Sequence, residues 1–216
     1  MRNSPGNVYP DDSLNEKRND NDSTRPDFWS QRYAGGRTPW QLDHVPARLV
    51  TFIGSLELGR NVLVPGCGQD FRAIGAFHRA GHHVTAIDFS PIAVESIRKA
   101  LPEIADDIIL GDFFTYEFKD APFDLIYERT FLCSLPPALW KKYLARVAEL
   151  LRPNGMLAGF FFYGEELEPP PYPLTETKAA EIFGDRFAPK TSEPVTDSLS
   201  VFGGKEKWQE WRLNDR

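Results

Sequence analysis

The chain contains few residues of the types that carry redox, metal or acid–base chemistry. Its 216 residues include only two cysteines, Cys67 and Cys133, and four histidines. Two thiols are too few for a disulfide framework, and the sequence places no activating base near either one. We expect both cysteines to be packed side chains, and we expect no metal site. The histidines are predicted to lie at the surface or against helices, without a role as a catalytic base: His44, His78, His82 and His83.

Two further absences concern the partners and the setting of the protein. The sequence has no apolar run long enough to span a membrane and no basic-then-apolar leader. We therefore expect a cytoplasmic protein without a membrane partner. Acidic residues outnumber basic residues by 31 to 25, which gives a net charge of −6. Because a nucleic-acid backbone is bound by clustered Lys and Arg, no nucleic-acid partner is expected. The expectation is a monomer that acts on a small molecule.

The N-terminal segment differs in composition from the rest of the chain. It is rich in Asn, Asp, Ser, Pro and Arg, and its only sizeable apolar side chains are Val8, Tyr9 and Leu14. Such a segment buries too little apolar surface to offset the entropy lost on ordering. We predict a disordered tail over residues 1–26 and a single domain over residues 27–216, which begins near the aromatic pair Phe28-Trp29.

Strand-like and helix-like segments alternate after the tail. Hydrophobic periodicity predicts strands over residues 60–65, 83–88, 107–110, 123–128 and 156–163, and helices over residues 41–56, 70–80, 91–101 and 137–151. Helical connections of this length imply an α/β fold with a parallel sheet and right-handed crossovers. The last third is less regular, with a predicted helix over residues 175–183 and possible antiparallel edge strands over residues 186–195 and 199–202.

The first predicted strand runs into a tight turn that contains Gly66 and Gly68, and the second predicted strand ends on Asp88. This pattern is typical of α/β domains that bind a nucleoside. The glycines let the backbone approach the ligand, and the acid accepts hydrogen bonds from ribose hydroxyls. A dinucleotide fingerprint would have a third glycine where Phe71 stands. Because that glycine is missing, the turn favours S-adenosylmethionine (SAM), which has no diphosphate, over NAD.

Further polar residues also follow predicted strands. In open parallel sheets, ligands bind beyond the carboxyl ends of the strands. Asp112 follows the third strand, where it would accept a hydrogen bond from an adenine amino group beside Phe113, and Arg129 follows the fourth. An aspartate at a strand end is often only the N-cap of the next helix. The coincidence of several such residues, one after each strand, nevertheless predicts a ligand site.

Three of the aromatic residues that precede the first predicted strand are candidates for the site. Trp29 and Tyr33 are spaced to share one face of a helix, and Trp40 follows after a Gly-Gly break. Aromatic rings attract a cation such as the sulfonium of SAM and exclude water from it. The alternative is that these rings cover the open end of the sheet as part of the core.

Motifs along the chain resemble one known family. They are Phe28-Trp29, Tyr33 and Trp40, then residues 63–68 (LVPGCG), residues 123–127 (FDLIY), residues 170–172 (PPY) and residues 204–207 (GKEK). Together they resemble the thiopurine S-methyltransferase family, and within it the branch that contains plant halide, thiocyanate and thiol methyltransferases and bacterial relatives. The resemblance covers residues 28 to about 212. Val64, where most class I methyltransferases carry an acid, is the specific mark of this group.

The resemblance implies a class I SAM-dependent methyltransferase. Its fold would be Rossmann-like, with a mainly parallel seven-stranded sheet and helices on both faces. By position, the implied SAM-binding residues are Trp29, Tyr33, Trp40, Gly66, Gly68, Asp88, Asp112, Phe113 and Arg129. Arg129 matches an arginine of the thiopurine enzymes, whereas the plant branch has a tyrosine there, so contact with SAM and contact with the substrate both stay open. Tyr172 is similar to a tyrosine near the acceptor pocket of the plant branch.

Methyl transfer from SAM is an in-line displacement at carbon, and an acceptor that arrives as a thiolate needs no general base. No catalytic base is therefore expected. The predicted reaction is methyl transfer to the sulfur of a thiol or thiopurine-like acceptor, with Arg129 favouring an anionic acceptor and Tyr172 donating a hydrogen bond to it. The alternatives are a halide or thiocyanate methyltransferase, a selenium or tellurium methyltransferase, and a SAM-binding protein without transfer activity.

Overall fold

The structure is a computed structural model that describes residues 22–165 and 169–214. Residues 1–21, most of the predicted tail, lie outside the described residues. The strands are β1 Asn61–Pro65, β2 His83–Asp88, β3 Ile108–Leu110, β4 Phe123–Arg129, β5 Leu151–Phe162, β6 Phe187–Pro194 and β7 Glu206–Leu213. The α-helices are α1 Pro26–Ala34, α2 Ala47–Gly54, α3 Phe71–Arg79, α4 Pro91–Ala100, α5 Pro137–Leu150 and α6 Glu176–Phe183. Three 3₁₀ segments span Pro102–Asp107, Leu132–Ser134 and Ser200–Phe202.

The seven strands form one sheet in the order β3-β2-β1-β4-β5-β7-β6. Strands β1 to β5 pair in parallel, while β7 is antiparallel to both β5 and β6. The predicted mainly parallel seven-stranded sheet is thereby confirmed. The strand order reverses between β1 and β4, and this is the point where open α/β sheets bind their ligands.

The sequence prediction was wrong about the seventh strand. Residues 200–202 form a 3₁₀ turn instead of an edge strand, and β7 follows at Glu206–Leu213. The hydrophobic pattern of β7 is obscured because Glu206, Gln209 and Glu210 are buried alongside its tryptophans. These polar groups have internal partners; Arg48, for example, lies 3.1 Å from the Glu210 carboxylate. Their burial is therefore compatible with a strand in the sheet interior.

Local signals fix most helix starts. The side chain of Ser90 accepts a hydrogen bond from Ala93 N, and Pro91 occupies the first helical position of α4. Asp70 caps α3 in the same way. The predicted helix over residues 41–56 is shorter in the structure and begins at Ala47, because Pro46 has an extended backbone (ψ 138°) at the N-cap.

Both faces of the sheet are covered by helices. Alternate residues of a strand point to opposite faces, so Leu63 of β1 packs with α5 and α6, whereas Val62 and Val64 pack with α2, α3 and α4. The core therefore lies in two layers, and the carboxyl ends of β1, β2 and β4 are left to carry the site. In the ranges 22–165 and 169–214, no helix is long and apolar enough to cross a membrane.

Candidate active site

The turn after β1 depends on its two glycines. Gly66 and Gly68 have left-handed backbones, with φ of +56° and +52°. A β-carbon on Gly66 would overlap the ring of Phe131, and one on Gly68 would lie 2.7 Å from the hydroxyl of Tyr33. Both the conformation and the close contacts require glycine. The turn is thus held between two aromatic side chains, one from α1 and one from the segment after β4.

Asp88 joins this turn to the start of α4. Its Oδ2 accepts a hydrogen bond from Gly68 N at 2.9 Å, and its Oδ1 accepts one from Ser90 N at 2.8 Å. The side chain is buried, and this burial raises the pKa of the Asp88 carboxyl to about 6. A carboxylate has about four acceptor positions, so both oxygens retain capacity for a ligand that lies on the turn.

The predicted aromatic residues form one wall. The rings of Trp29 and Trp40 meet edge-on at 5.4 Å, and those of Tyr33 and Trp40 at 6.3 Å. Trp29 and Tyr33 both project from α1, as their spacing predicts, and Trp29 Nε1 donates to the carbonyl of Ser23 at 2.8 Å. Burial, with the nearby Asp88 carboxylate, raises the pKa of Tyr33 well above its usual range, which keeps its hydroxyl neutral.

A cavity of about 290 Å³ lies between this wall and the strand ends. Seven of the predicted residues line it: Trp29, Tyr33, Trp40, Gly66, Asp88, Asp112 and Phe113. Apolar side chains make up much of the remaining lining, namely Phe131, Leu135, Leu139, Pro170, Pro171, Val201 and Phe202, and Arg32 and Lys142 add two basic groups. Along the strand order, Asp88 and Asp112 lie at the polar end, after β2 and β3, and Val201 and Phe202 lie at an apolar end toward β5, where Phe202 packs against Phe162.

A second, smaller cavity of about 40 Å³ adjoins the first, with which it shares Tyr33, Trp40, Gly66 and Thr130. The predicted residues Gly68 and Arg129 line this smaller space. Polar side chains surround it, because Gln41, Gln69 and Asp70 also contribute. Among the described residues that line it, Arg129 is the single basic side chain.

Arg129 is almost completely buried at the end of β4. Its guanidinium lies over the Phe160 ring at 4.8 Å, and its Nη1 lies 4.0 Å from Glu206 Oε1. Burial raises the pKa of Asp70, and the positive charge of Arg129 partly offsets that effect. The guanidinium therefore provides a fixed positive charge at the floor of the smaller cavity.

Tyr172 does not share a cavity with Arg129. Its side chain lines a third space of about 10 Å³, together with Glu128 and Cys133, and its backbone N–H donates to the carbonyl of Cys133 at 2.6 Å. The two prolines before it, Pro170 and Pro171, line the large cavity. The structure thus places the Pro-Pro-Tyr segment against the site, with the tyrosine ring behind its wall.

The segment after β4 is held by a buried carboxylate that the sequence did not single out. Glu128 accepts hydrogen bonds from Phe131 N and Leu132 N at 2.9 Å each, and from the Tyr143 hydroxyl at 2.5 Å. Burial raises the pKa of Glu128 to about 7. Thr130, which lies between Glu128 and Phe131 in the sequence, has a left-handed backbone with φ of 62°. Such strain persists where surrounding contacts impose it, often at functional sites.

Sequence reasoning missed several lining residues. Thr130 and Phe131 follow β4, and Ser23 and Thr24 fall within the predicted tail. Val201 and Phe202, which we call the roof of the large cavity, belong to the 3₁₀ segment Ser200–Phe202. No local pattern marks the residues after β4. The roof carried a partial signal in the sequence, because two apolar residues precede the pair Gly203-Gly204.

The cysteines and histidines lie outside this chemistry. Cys67 and Cys133 are free and buried, as predicted, and burial raises the pKa of both thiols. Although Cys133 lines the large cavity, a neutral thiol there acts as a small apolar surface. The four histidines line none of the three cavities. Within residues 22–165 and 169–214, no group of His, Cys, Asp and Glu is arranged to hold a metal ion.

Comparisons with known proteins show the family to which the chain belongs. The family model described as thiopurine S-methyltransferase matches residues 24–215. A probable thiol methyltransferase 2 of Arabidopsis thaliana is 33% identical over 162 residues, which cover 71% of this chain and 70% of the plant protein. A thiopurine S-methyltransferase of Vibrio cholerae serotype O1 is 31% identical over 180 residues, covering 73% and 80% of the two chains.

A solved structure shows the same fold. The 1,6-didemethyltoxoflavin-N1-methyltransferase of Burkholderia thailandensis, with bound 1,6-didemethyltoxoflavin and S-adenosylhomocysteine (SAH), superimposes with a TM-score of 0.72. It is 22% identical, and the match covers 88% of this chain and 87% of that chain. The chain therefore belongs to the thiopurine S-methyltransferase family and is a SAM-dependent methyltransferase.

Proposed function

We propose that this enzyme transfers a methyl group from SAM to the sulfur of a small thiol or thiopurine-like acceptor in the large cavity. The observation that carries the proposal is the polarity of this one cavity. Acidic groups lie at the end beneath β2 and β3, an aromatic wall covers the middle, and apolar side chains close the other end. SAM, when bound, supplies an electrophilic methyl group on a sulfonium.

The residues present fit the parts of SAM. Asp88 faces the cavity with unused acceptor capacity, which suits the ribose hydroxyls. Asp112, exposed beside the buried Phe113, suits an adenine amino group and its apolar ring. Its Oδ1 accepts from Phe114 N at 2.9 Å, so the carboxylate is already oriented by its own turn.

The aromatic wall suits the sulfonium. The rings of Trp29, Tyr33 and Trp40 pack edge to face, and all three residues line the large cavity. A cation near an aromatic face gains about 0.5–2 kcal/mol, with the larger values where water is excluded. These residues would therefore favour the charged cofactor over its neutral product.

Arg129 suits the amino-acid end of SAM. The smaller cavity opens from the large one over Gly66, and its one basic side chain matches the carboxylate of that end. A carboxylate hydrogen-bonded to a guanidinium is worth about 1.5–3 kcal/mol. We assign Arg129 to the cofactor on this ground. Tyr172 would support the acceptor end through the Pro170-Pro171 segment in front of it.

The acceptor end acts by positioning and by excluding water. Pro171, Val201 and Phe202 provide apolar surface there, and a thiolate is a stronger nucleophile when it loses its water shell. Alignment of the two reacting groups then supplies much of the rate, because it converts a bimolecular step into one within the complex. Bound SAM would supply the methyl group and leave as SAH, and a thiolate would accept that group without a proton transfer, so the residues here would only need to position the acceptor and exclude water.

The acceptor is tested with a panel that separates the candidate classes. Purified enzyme and SAM are incubated with an aromatic thiol, a small aliphatic thiol, hydrogen sulfide, thiocyanate, iodide and selenite, and methylated products are measured by headspace and liquid mass spectrometry. We expect the highest kcat/KM for a thiol. A preference for iodide or thiocyanate would replace the proposed acceptor with an anion, and SAM binding without any product would indicate a binding protein.

The setting of the enzyme also stays a proposal. We propose a cytoplasmic monomer that has no nucleic-acid or membrane partner. The net charge of −6 supports this proposal, as do the four exposed large apolar side chains on the described part of the surface, Val50, Leu58, Ile92 and Leu110. Light scattering at several protein concentrations tests the monomer, since a mass near 24.5 kDa is expected throughout.

A further inference from the structure

The proposed SAM chemistry makes no use of Glu206, although this residue is one of the most deeply buried charges in the described structure. Glu206 is the first residue of β7, pairs in register with Phe162 of β5, and is 3% exposed. A buried carboxylate is costly unless it is paired and hydrogen-bonded. Its partners therefore show what the fold gains from keeping a charge at this position.

The two oxygens of Glu206 face different parts of the site. Oε2 accepts hydrogen bonds from Ser198 Oγ at 2.7 Å and from Leu199 N at 3.2 Å. These residues lead directly into the 3₁₀ turn Ser200–Phe202, which supplies Val201 and Phe202 to the roof of the large cavity. One oxygen of Glu206 thus anchors the roof over the apolar end.

The other oxygen faces the guanidinium at the floor of the smaller cavity. Glu206 Oε1 lies 4.0 Å from Arg129 Nη1, too far for a hydrogen bond but close enough for a strong attraction between two buried charges. The guanidinium is confined further by the Phe160 ring at 4.8 Å. The attraction draws the guanidinium toward β7 and limits the directions in which it can reach the cavity.

We propose that Glu206 is a positioning residue that links the two ends of the site, by setting the orientation of Arg129 and by fixing the roof segment 198–202. The proposal rests on the proposed function for the identity of the ligands at these ends. One side chain serves both because β7 starts between the strand end that carries Arg129 and the loop that forms the roof. Both ends of the site therefore depend on the same carboxylate, each through a different oxygen.

The effect of the Glu206 charge on Arg129 is tested by a double-mutant cycle between E206Q and R129A. The measured quantity is the Kd for SAH from calorimetric titration, which needs no turnover. Gln keeps the shape and an acceptor oxygen for the roof but removes the charge. With Arg129 present, E206Q is expected to weaken SAH binding about fivefold or more, whereas in the R129A background the added change stays within about twofold. E193Q, which removes the same charge from a surface pair with Arg48, is the matched control and leaves binding unchanged.

The roof is tested separately with S198A and limited trypsin digestion. S198A removes one roof hydrogen bond and leaves the Glu206 charge. Cleavage after the exposed Lys205 is expected to become about fivefold faster, because the lost bond makes local opening of the roof easier. The Kd for SAH should stay within twofold of wild type, while the KM for the acceptor should rise. Unchanged cleavage would overturn the role of Glu206 at the roof.

The outcomes of the cycle separate this proposal from the proposed function. Equal effects of E206Q in both backgrounds, or no effect in either, would overturn the positioning of Arg129 and leave methyl transfer standing. Coupled SAH binding without methylation of any thiol would remove the proposed acceptor and leave the positioning role intact. If E206Q does not fold, E206D replaces it in the cycle, because the shorter side chain places the carboxylate farther from Arg129. The same changes in the Kd for SAH then decide the outcome.

Discussion

The hydroxyl of Tyr33 lies 2.7 Å from the place that a β-carbon on Gly68 would take. This contact joins the helix that precedes the sheet to the turn after its first strand, although the two residues are far apart in the sequence. Since Asp88 also accepts a hydrogen bond from Gly68 N, the backbone of one glycine lies between a phenol and a carboxylate. Helix α1 and the glycine turn after β1 are therefore fitted to each other at this residue.

Replacement of Gly68 by alanine should disturb both the fold and the site. The new methyl group meets the Tyr33 hydroxyl, and the left-handed φ of +52° disfavours any side chain by about 1–2 kcal/mol. We expect a lower melting temperature and weaker binding of SAH by calorimetry. Y33F in the same background removes the clashing hydroxyl and should restore part of the affinity.

The control for this prediction is Gly54, at the end of α2, where a β-carbon would meet nothing within 4 Å. G54A should leave SAH binding unchanged and stabilise the helix by up to about 1 kcal/mol. If G68A bound SAH as tightly as G54A does, the turn would have no part in holding the cofactor.

Asp88 gives the site a pH dependence. Burial raises its pKa to about 6 in the ligand-free protein, so the carboxyl is mostly protonated at pH 5 and ionised at pH 7. An ionised carboxylate is the better acceptor for hydroxyls, and SAH affinity should therefore rise by up to about tenfold between these values. D88N should lower the affinity at pH 7 and abolish the pH dependence, whereas D112N should keep the dependence.

The same raised pKa affects stability with a definite sign. The folded form binds a proton more tightly than the unfolded form, so stability from this group is present below pH 4 and is lost as the pH rises to about 6. In the absence of ligand, D88N should reduce the fall in melting temperature across this window. An unchanged profile would show that the carboxyl is not buried as described.

Glu128 should show a similar effect at higher pH. Burial raises its pKa from 4.5 to about 7, so its ionisation destabilises the folded state as the pH rises through this range. E128Q, which keeps an acceptor for Phe131 N and Leu132 N, should flatten that fall in the free energy of unfolding. Chemical denaturation at pH 5 and pH 7.5 measures the difference. E149Q, at an exposed position of α5, is the control and should behave as wild type.

The aromatic wall should distinguish the charged cofactor from its neutral product. W40L is expected to weaken SAM binding about threefold or more beyond its effect on SAH, because only SAM carries the sulfonium charge. W40F keeps an aromatic face and should retain most of the preference. Equal losses for SAM and SAH in W40L would mean that Trp40 contributes packing alone, as the alternative of a covered core proposes.

The sequence predicted the lining around the glycine turn and Asp88 better than the lining at Val201 and Phe202. The glycine turn, Asp88 and the aromatic pair on α1 follow local rules: a strand that ends in Gly-x-Gly, an acid at a strand end, and residues one helical turn apart. The roof and the segment after β4 depend on contacts between distant parts of the chain. Phe131 lies against Gly66, and Phe202 packs against Phe162 of β5. The buried Glu206 hides β7, which follows Phe202, from a hydrophobic pattern.

The most direct measurement is the ratio of kcat/KM for an aromatic thiol to that for iodide, with saturating SAM. The apolar lining beneath Pro171 and Phe202 should favour burial of an aromatic ring, and a difference of about 1.4 kcal/mol already gives a tenfold ratio. If the acceptor is a thiol, as proposed, we expect a ratio of at least about ten in favour of the thiol. A ratio of one or less would contradict it and would assign the cavity to a small anion.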